Sequence, residues 1–260
     1  MTAAVRLPIA AAILTVWLAA AAADSPGAER RSGAEFMGPA LRAMEDDDAA
    51  NPAALWLSDG QSLWGEPAGT AGKSCADCHG DAAVGMKGVA ARYPAIDPAS
   101  GQPIDLEQRI DLCRTNYQKA PALAFESHDL LALSALVARQ SRGLPIGVAD
   151  TPASHPFIEL GRVLFHRRQG QLDLSCAECH DDNWGRHLGG AVIPQGQPTG
   201  YPIYRLEWQT LGSLQRRLRG CLAGMRAEPY PYGASEAVAL ELYLMWRARG
   251  MPLDAPGVRP

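Results

Sequence analysis

The sequence predicts a mostly α-helical protein made of two tandem, homologous modules with an N-terminal extension. Three observations carry that reading. First, Cys75-Ala76-Asp77-Cys78-His79 returns almost unchanged as Cys176-Ala177-Glu178-Cys179-His180. Second, the likeness extends outward, as an internal duplication requires. Gly60-x-x-Leu63-Trp64 upstream of the first run matches Gly161-x-x-Leu164-Phe165 upstream of the second. Downstream, after an insertion in the second copy, Tyr93-Pro94 matches Tyr201-Pro202. Leu106-x-Gln108-Arg109-Ile110-x-x-Cys113 then matches Leu214-x-Arg216-Arg217-Leu218-x-x-Cys221. Third, both copies close on a run with apolar residues at helical spacing, Leu130-Leu131-x-Leu133-x-x-Leu136-Val137 and Val238-x-Leu240-x-Leu242-x-Leu244-Met245.

The elements follow in order. Residues 1–23 read as a secretory signal: one Arg, an apolar run from Leu7 to Ala22, and Ala21-Ala22-Ala23 before cleavage at Asp24. A membrane anchor is the alternative, and no later segment reaches the roughly 18 apolar residues of a span. Residues 24–150 hold an N-terminal arm and the first module. The arm carries a Glu45-Asp46-Asp47-Asp48 run, expected on a solvated surface, and an Asn51-Pro52 helix start. A helix should end near Cys75, an irregular Gly/Pro segment should fill 80–102, and a short helix should present Cys113 before the amphipathic helix from Ser127. Thr151 to Pro156 reads as a linker. Residues 151–260 repeat the plan, with the irregular segment at 181–200 and Cys221 on the short helix. The Gly and Pro breaks argue against long strands.

C-x-x-C-H is the attachment signature of c-type haem. Two thiols on one helical turn can add to the two vinyl groups of one haem, and the next imidazole becomes the proximal iron ligand. The chain is therefore expected to be two tandem cytochrome c-like domains carrying two covalently bound haem c. Cys75, Cys78 and His79 would hold one, and Cys176, Cys179 and His180 the other. Attachment outside the bacterial cytoplasm fits the exported leader. The chain has a formal net charge of −4, which gives no electrostatic footprint for nucleic acid.

The far side of each iron needs a second ligand. Met86, Met225, His128, His155, His166 and His187 are candidates by type, but none recurs at matching positions of the two copies. Cys113 and Cys221 do recur, and axial thiolate ligation by each is the favoured reading; a disulfide between them is the alternative. A thiolate stabilises ferric iron and lowers the potential. Arg109 and Arg217 lie four residues before these cysteines and share a helix face with them. The second copy differs from the first: Arg216, Arg217 and Arg219 surround Cys221, where Gln108, Arg109 and Asp111 precede Cys113. Three cations beside one sulfur suggest an anion-binding mouth that also lowers the thiol pKa.

Leu174 to His180, Gly200-Tyr201-Pro202-x-Tyr204-Arg205-Leu206-Glu207-Trp208, Arg216-Arg217-Leu218-Arg219-Gly220-Cys221 and Met225-Arg226-Ala227-Glu228-Pro229-Tyr230 resemble the SoxA family. The resemblance spans essentially the whole mature chain and is most specific in the second module. It implies a periplasmic dihaem subunit of a thiosulfate-oxidising L-cysteine S-thiosulfotransferase, paired in a heterodimer with a SoxX-type monohaem cytochrome c. The enzyme would couple thiosulfate oxidatively to a cysteine of the SoxYZ carrier. By the same resemblance, Cys221 is an iron ligand and the catalytic residue, carried as a persulfide, and Arg217 contacts substrate. The haem held by His79 and Cys113 would be distant from the chemistry. A plain electron carrier, a thiosulfate dehydrogenase and a dihaem peroxidase are the competing classes.

Overall fold

The computed structural model describes Met1 and residues 29–260, so the expected leader, Met1 aside, and the first residues of the arm lie outside the described residues. The arm makes a 3-10 turn at Gly33–Phe36 and helix α1 at Pro39–Asp46. The first copy then runs α2 (Ala54–Gly65), α3 (Ala76–His79), α4 (Ala82–Gly85), β1 (Ala95–Ile96), β2 (Pro103–Ile104), α5 (Leu106–Cys113) and α6 (His128–Arg139). The second runs α7 (His155–His166), α8 (Cys176–His180), β3 (His187–Leu188), β4 (Ala191–Val192), β5 (Ile203–Arg205), β6 (Thr210–Gly212), α9 (Leu214–Gly224) and α10 (Ser235–Arg247), and β7 (Gly257–Arg259) follows.

The two copies share their main elements in the same order, down to a short hairpin that the sequence did not announce. β1 pairs antiparallel with β2 in the register Ala95↔Ile104. β5 pairs with β6 in the equivalent register, Ile203↔Gly212. Strands of two or three residues are too short to show an alternating pattern, so composition left these segments as irregular. The insertion in the second copy holds the extra hairpin β3–β4.

Two helix pairs form the framework, α2 on α6 and α7 on α10. Each pair closes over a glycine. A Cβ on Gly60 would sit 2.3 Å from the Ala132 carbonyl oxygen, and one on Gly161 would sit 2.1 Å from that of Ala239. Only the missing side chain allows backbones this close. One turn on, Trp64 and Phe165 are buried at 5% and 1% exposure, and each ring lies near the histidine of its own motif.

One apolar cluster serves both copies. Trp64, Leu133 and Val137 from the first pack in the same body as Phe165, Leu240 and Tyr243 from the second. Each fully buried side chain of this size contributes roughly 1.5–3 kcal/mol, so the shared body is a major stabiliser. The turns after α6 and α10 pair with each other as well. Ile146 N–H donates to the Met251 carbonyl at 2.9 Å, and Leu253 N–H donates to Leu144 at 2.9 Å. Pro145 and Pro252 form an antiparallel bridge. Antiparallel pairing of equivalent segments is what a local two-fold relation produces. The expected linker is accordingly no loose tether. Ser154 Oγ accepts from Thr151 N–H at 2.8 Å and donates to Ala149 O at 2.8 Å, and α7 begins at His155 with Pro156 in its first turn.

A polar knot also bridges the copies. Gln215 Nε2 donates to Asp105 Oδ2 at 2.6 Å and to Glu241 Oε2 at 3.4 Å, while its Oε1 accepts from Gly233 N–H at 2.8 Å. Burial raises the Asp105 carboxyl to about 6 and that of Glu107 to about 8, and pushes Glu241 well up.

The acidic run of the arm is only partly the solvated surface expected. Asp46 and Asp48 are exposed and pair with Arg142 and Arg139. Glu45 is buried at 3% exposure, where it accepts from the Arg259 guanidinium and from Val258 N–H. Asn51 Nδ2 donates to Glu45 O and Pro256 O. The arm thus clasps the chain end, whose strand β7 runs parallel to β5.

Candidate active site

Each C-x-x-C-H run is held as one tight helical turn by a reciprocal cap. Ser74 Oγ accepts from Asp77 N–H at 3.1 Å while Asp77 Oδ2 accepts from Ser74 N–H at 2.8 Å. Ser175 and Glu178 repeat the device at 3.2 and 2.8 Å. This Ser-x-x-acid spacing is the capping-box signature and was open to reading in the sequence. It points both cysteines and the histidine of each run to one side.

In the first copy, Cys75, Cys78, His79 and Cys113 line one cavity of ≈ 590 Å³ together with Met86 and Arg109. Trp64 flanks the His79 ring at 5.8 Å and donates from Nε1 to Gly80 O at 2.9 Å. An apolar hollow with a C-x-x-C pair, an imidazole and a second sulfur donor fits a covalent haem. Arg109 is held at the rim. It forms an ion pair with Asp97 at 2.8 Å and also bonds the Tyr93 hydroxyl. Burial would lower its pKa, but Tyr93 and Asp97 more than offset that.

In the second copy, His180 Nδ1 bonds to the Pro194 carbonyl oxygen at 2.7 Å. That fixes the ring and leaves Nε2 available to a metal, the usual outer support of a metal-bound histidine. Gly196, at φ 69°, packs under the ring, and a Cβ there would lie 3.1 Å from His180 Cγ. Cys221 on α9 faces His180 within hydrogen-bonding reach. Burial raises the pKa values of Cys176 and Cys179, and the nearby Cys221 charge raises them further. The four residues fit a second covalent haem. All six cysteines are free, so the Cys113–Cys221 disulfide is not formed. His128 and His155 pair with Asp59 and Asp150.

The two lone cysteines sit in opposite electrostatic settings. Burial pushes Cys113 up, and Arg109 opposes it only weakly. Burial acts on Cys221 too, but the His180 hydrogen bond, Arg217 and Arg205 pull it below the ordinary thiol value. The arginines responsible differ from those expected. Arg217 does face the sulfur, which raises the arginine's pKa against its burial. Arg216 instead stacks 4.4 Å over Trp208 and reaches Glu126 at 3.7 Å. Arg219 donates to Tyr230 O and covers Tyr232 at 4.6 Å. Aromatic faces brought in by tertiary structure claim these two cations. In their place Arg205, at the end of β5, adds a second favourable charge near the sulfur from the hairpin. Sequence spacing gave no reason to choose it, since it is far from Cys221 along the chain.

The comparisons agree with this geometry. The family described as SoxA/TsdA, cytochrome c domain, matches residues 59–146 and 160–253, the two copies in turn. The protein named L-cysteine S-thiosulfotransferase subunit SoxA from Rhodovulum sulfidophilum is 40% identical over 232 residues, covering 89% of this chain and 80% of the relative. Its namesake from Pseudaminobacter salicylatoxidans is 38% identical over 242 residues, covering 93% and 85%. The crystal structure of SoxXA from P. pantotrophus superposes with a TM-score of 0.86 at 32% identity, covering 89% of this chain and 87% of that one. Matched over both copies by one domain family and over most of its length by these relatives, the chain belongs to the SoxA family of cytochrome c subunits.

Proposed function

We propose that this chain is the dihaem c subunit of an exported L-cysteine S-thiosulfotransferase that joins thiosulfate oxidatively to a cysteine of a SoxYZ-type carrier. The observation that carries the reading is the setting of Cys221: opposite His180, with its pKa lowered, and beside two guanidinium groups. Its heterodimer partner is a SoxX-type monohaem cytochrome c, as in the SoxXA structure that this chain resembles. No described helix is long and apolar enough to cross a membrane, and the C-x-x-C-H chemistry together with the leader supports a periplasmic site. The domain boundary falls near residue 150, between the copies.

Cys75, Cys78, His79 and Cys113 would hold one haem, and Cys176, Cys179, His180 and Cys221 would hold the other. Haem supplies an electron acceptor beside the reacting sulfur. The protein's own residues do the rest. Arg217 binds the oxygens of the thiosulfate dianion by forked, charge-assisted hydrogen bonds and orients its terminal sulfur. Cys221, persulfidated in the proposed working form, presents its outer sulfur for exchange. Joining thiosulfate to a carrier thiol forms one S–S bond and releases one proton and two electrons.

The test is thiosulfate turnover by the complex of this chain with its monohaem partner, with and without the carrier. Carrier-dependent oxidation is expected. Tetrathionate formation at the same rate without carrier would overturn the reading in favour of a thiosulfate dehydrogenase. Intact mass showing one haem, or EPR of the oxidised protein showing His/Met in the second module, would overturn the ligand assignment.

A further inference from the structure

Superposing the two copies through their hairpins exposes one reversal of charge. Asp97 directly follows β1, and its N–H donates to Gln102 O at 2.9 Å. The equivalent pairing in the second copy is Arg205↔Thr210. The register therefore puts Arg205 where the first copy has Asp97. Three residues around it are kept: Tyr93 corresponds to Tyr201, Arg109 to Arg217 and Cys113 to Cys221.

The consequence is a change in what the helix arginine can bind. In the first copy Asp97 lies 2.8 Å from Arg109 and neutralises it, with Asp97 only 10% exposed at the side chain. In the second copy a cation replaces that anion. Among the described residues no carboxylate is in ion-pair contact with Arg217, and Arg205 is its neighbour instead. Burial and then Arg217 weaken the hold of Arg205 on its proton. The two like charges, with Arg205 at 12% side-chain exposure, form an arrangement that Glu207 and the Cys221 sulfur balance only in part. A bound dianion would balance it.

Arg205 is also aimed. Its Nε donates to Pro260 O at 2.9 Å, and its Nη2 pairs with Glu207 at 2.8 Å, whose own side chain is 62% exposed. It lies 5.2 Å over Trp208. An exposed carboxylate is a weak partner and can give way to a doubly charged ligand.

We infer that Arg205 and Arg217 form a two-arginine clamp for the sulfur oxyanion dianion, made from a self-neutralised arginine site by the change of one charge at a duplicated position. This rests on the reading of Cys221 and Arg217 above and adds the residue that sets selectivity for a dianion. Arg205→Asp restores the first copy's arrangement, in which the new carboxylate pairs with Arg217 and closes the clamp.

The experiment is steady-state turnover of the holo-complex with thiosulfate and carrier. Sulfate serves as a competing dianion, and haem absorbance reports the folded fraction. Arg205→Asp should raise the thiosulfate KM about ten- to hundred-fold, the loss of one charge-assisted contact, with a much smaller change in kcat, and should weaken sulfate inhibition in parallel. Arg205→Lys should keep much of the affinity. Glu207→Gln, which frees Arg205, should lower KM a few-fold. An unchanged KM in Arg205→Asp, or a kcat loss in Arg205→Lys with sulfate inhibition intact, would overturn the inference and leave Arg205 as a support for the chain end. Arg217→Ala separates the two levels. If it raises KM and Arg205→Asp does not, only the clamp fails; if neither does, the underlying site reading fails.

Discussion

Gly161→Ala tests the framework that positions the second haem site. The added Cβ would lie 2.1 Å from Ala239 O and 2.5 Å from Tyr243 Cβ. An ordinary contact is near 3.4 Å, so α7 must retreat from α10 by about 1.3 Å, a gap that forfeits a large part of the dispersion between two packed surfaces. Overpacking of this kind costs about 3 kcal/mol or more, and alanine's better helix propensity returns about 1 kcal/mol of it. For a chain of this size a net loss of about 2–3 kcal/mol lowers Tm by roughly 4–12 °C. Because Phe165 rides on α7 beside His180, the haem spectrum of the second module should change as well. Gly65→Ala is the control, since nothing lies within 4 Å of its added carbon, and it should leave Tm unchanged or slightly raised. Thermal melts by circular dichroism on the holoprotein read both. A Gly161→Ala protein that melts with the wild type and has its haem spectrum would refute the close-packing argument.

Three further outcomes follow from features described above. Glu107 has its pKa raised to about 8 by burial, so between its ordinary value of 4.5 and about 8 the folded chain holds a proton that the unfolded chain releases. Stability must therefore fall as pH rises through that window; Glu107→Gln should flatten the slope of Tm against pH, and an unaltered slope would refute the assignment. Arg259→Ala leaves Glu45 buried without its cation and should cost about 3 kcal/mol, partly recovered in the Arg259→Ala/Glu45→Gln double variant; equal melting of wild type and single variant would contradict it. Cys221→Met should keep both haems attached while raising the potential of the second-module haem, because a neutral thioether replaces an anionic donor; redox titration that finds no change would show that Cys221 is not the ligand.

The repeat, the two C-x-x-C-H turns and the order of helices were legible because each depends on local spacing. The closing apolar runs became α6 and α10, and Gly161-x-x-Leu164-Phe165 became the face that packs on α10 and flanks His180. What sequence could not give was direction. Arg216 and Arg219 look like obvious neighbours of Cys221 along α9, yet Trp208 and Tyr232 arrive from other segments and claim their guanidiniums. Arg205 acts on the sulfur's charge only because a hairpin with strands too short to leave a periodic trace brings it near. Glu45 sits in a run of four acids whose composition reads as surface, and its burial depends on Arg259, more than two hundred residues away.

The continuity of the apolar body across the Pro145–Pro252 bridge bears on biogenesis. Separated halves would each present an uncovered oily flank and unsatisfied carboxylates from the Asp105–Gln215–Glu241 knot. Neither copy is then expected to mature by itself.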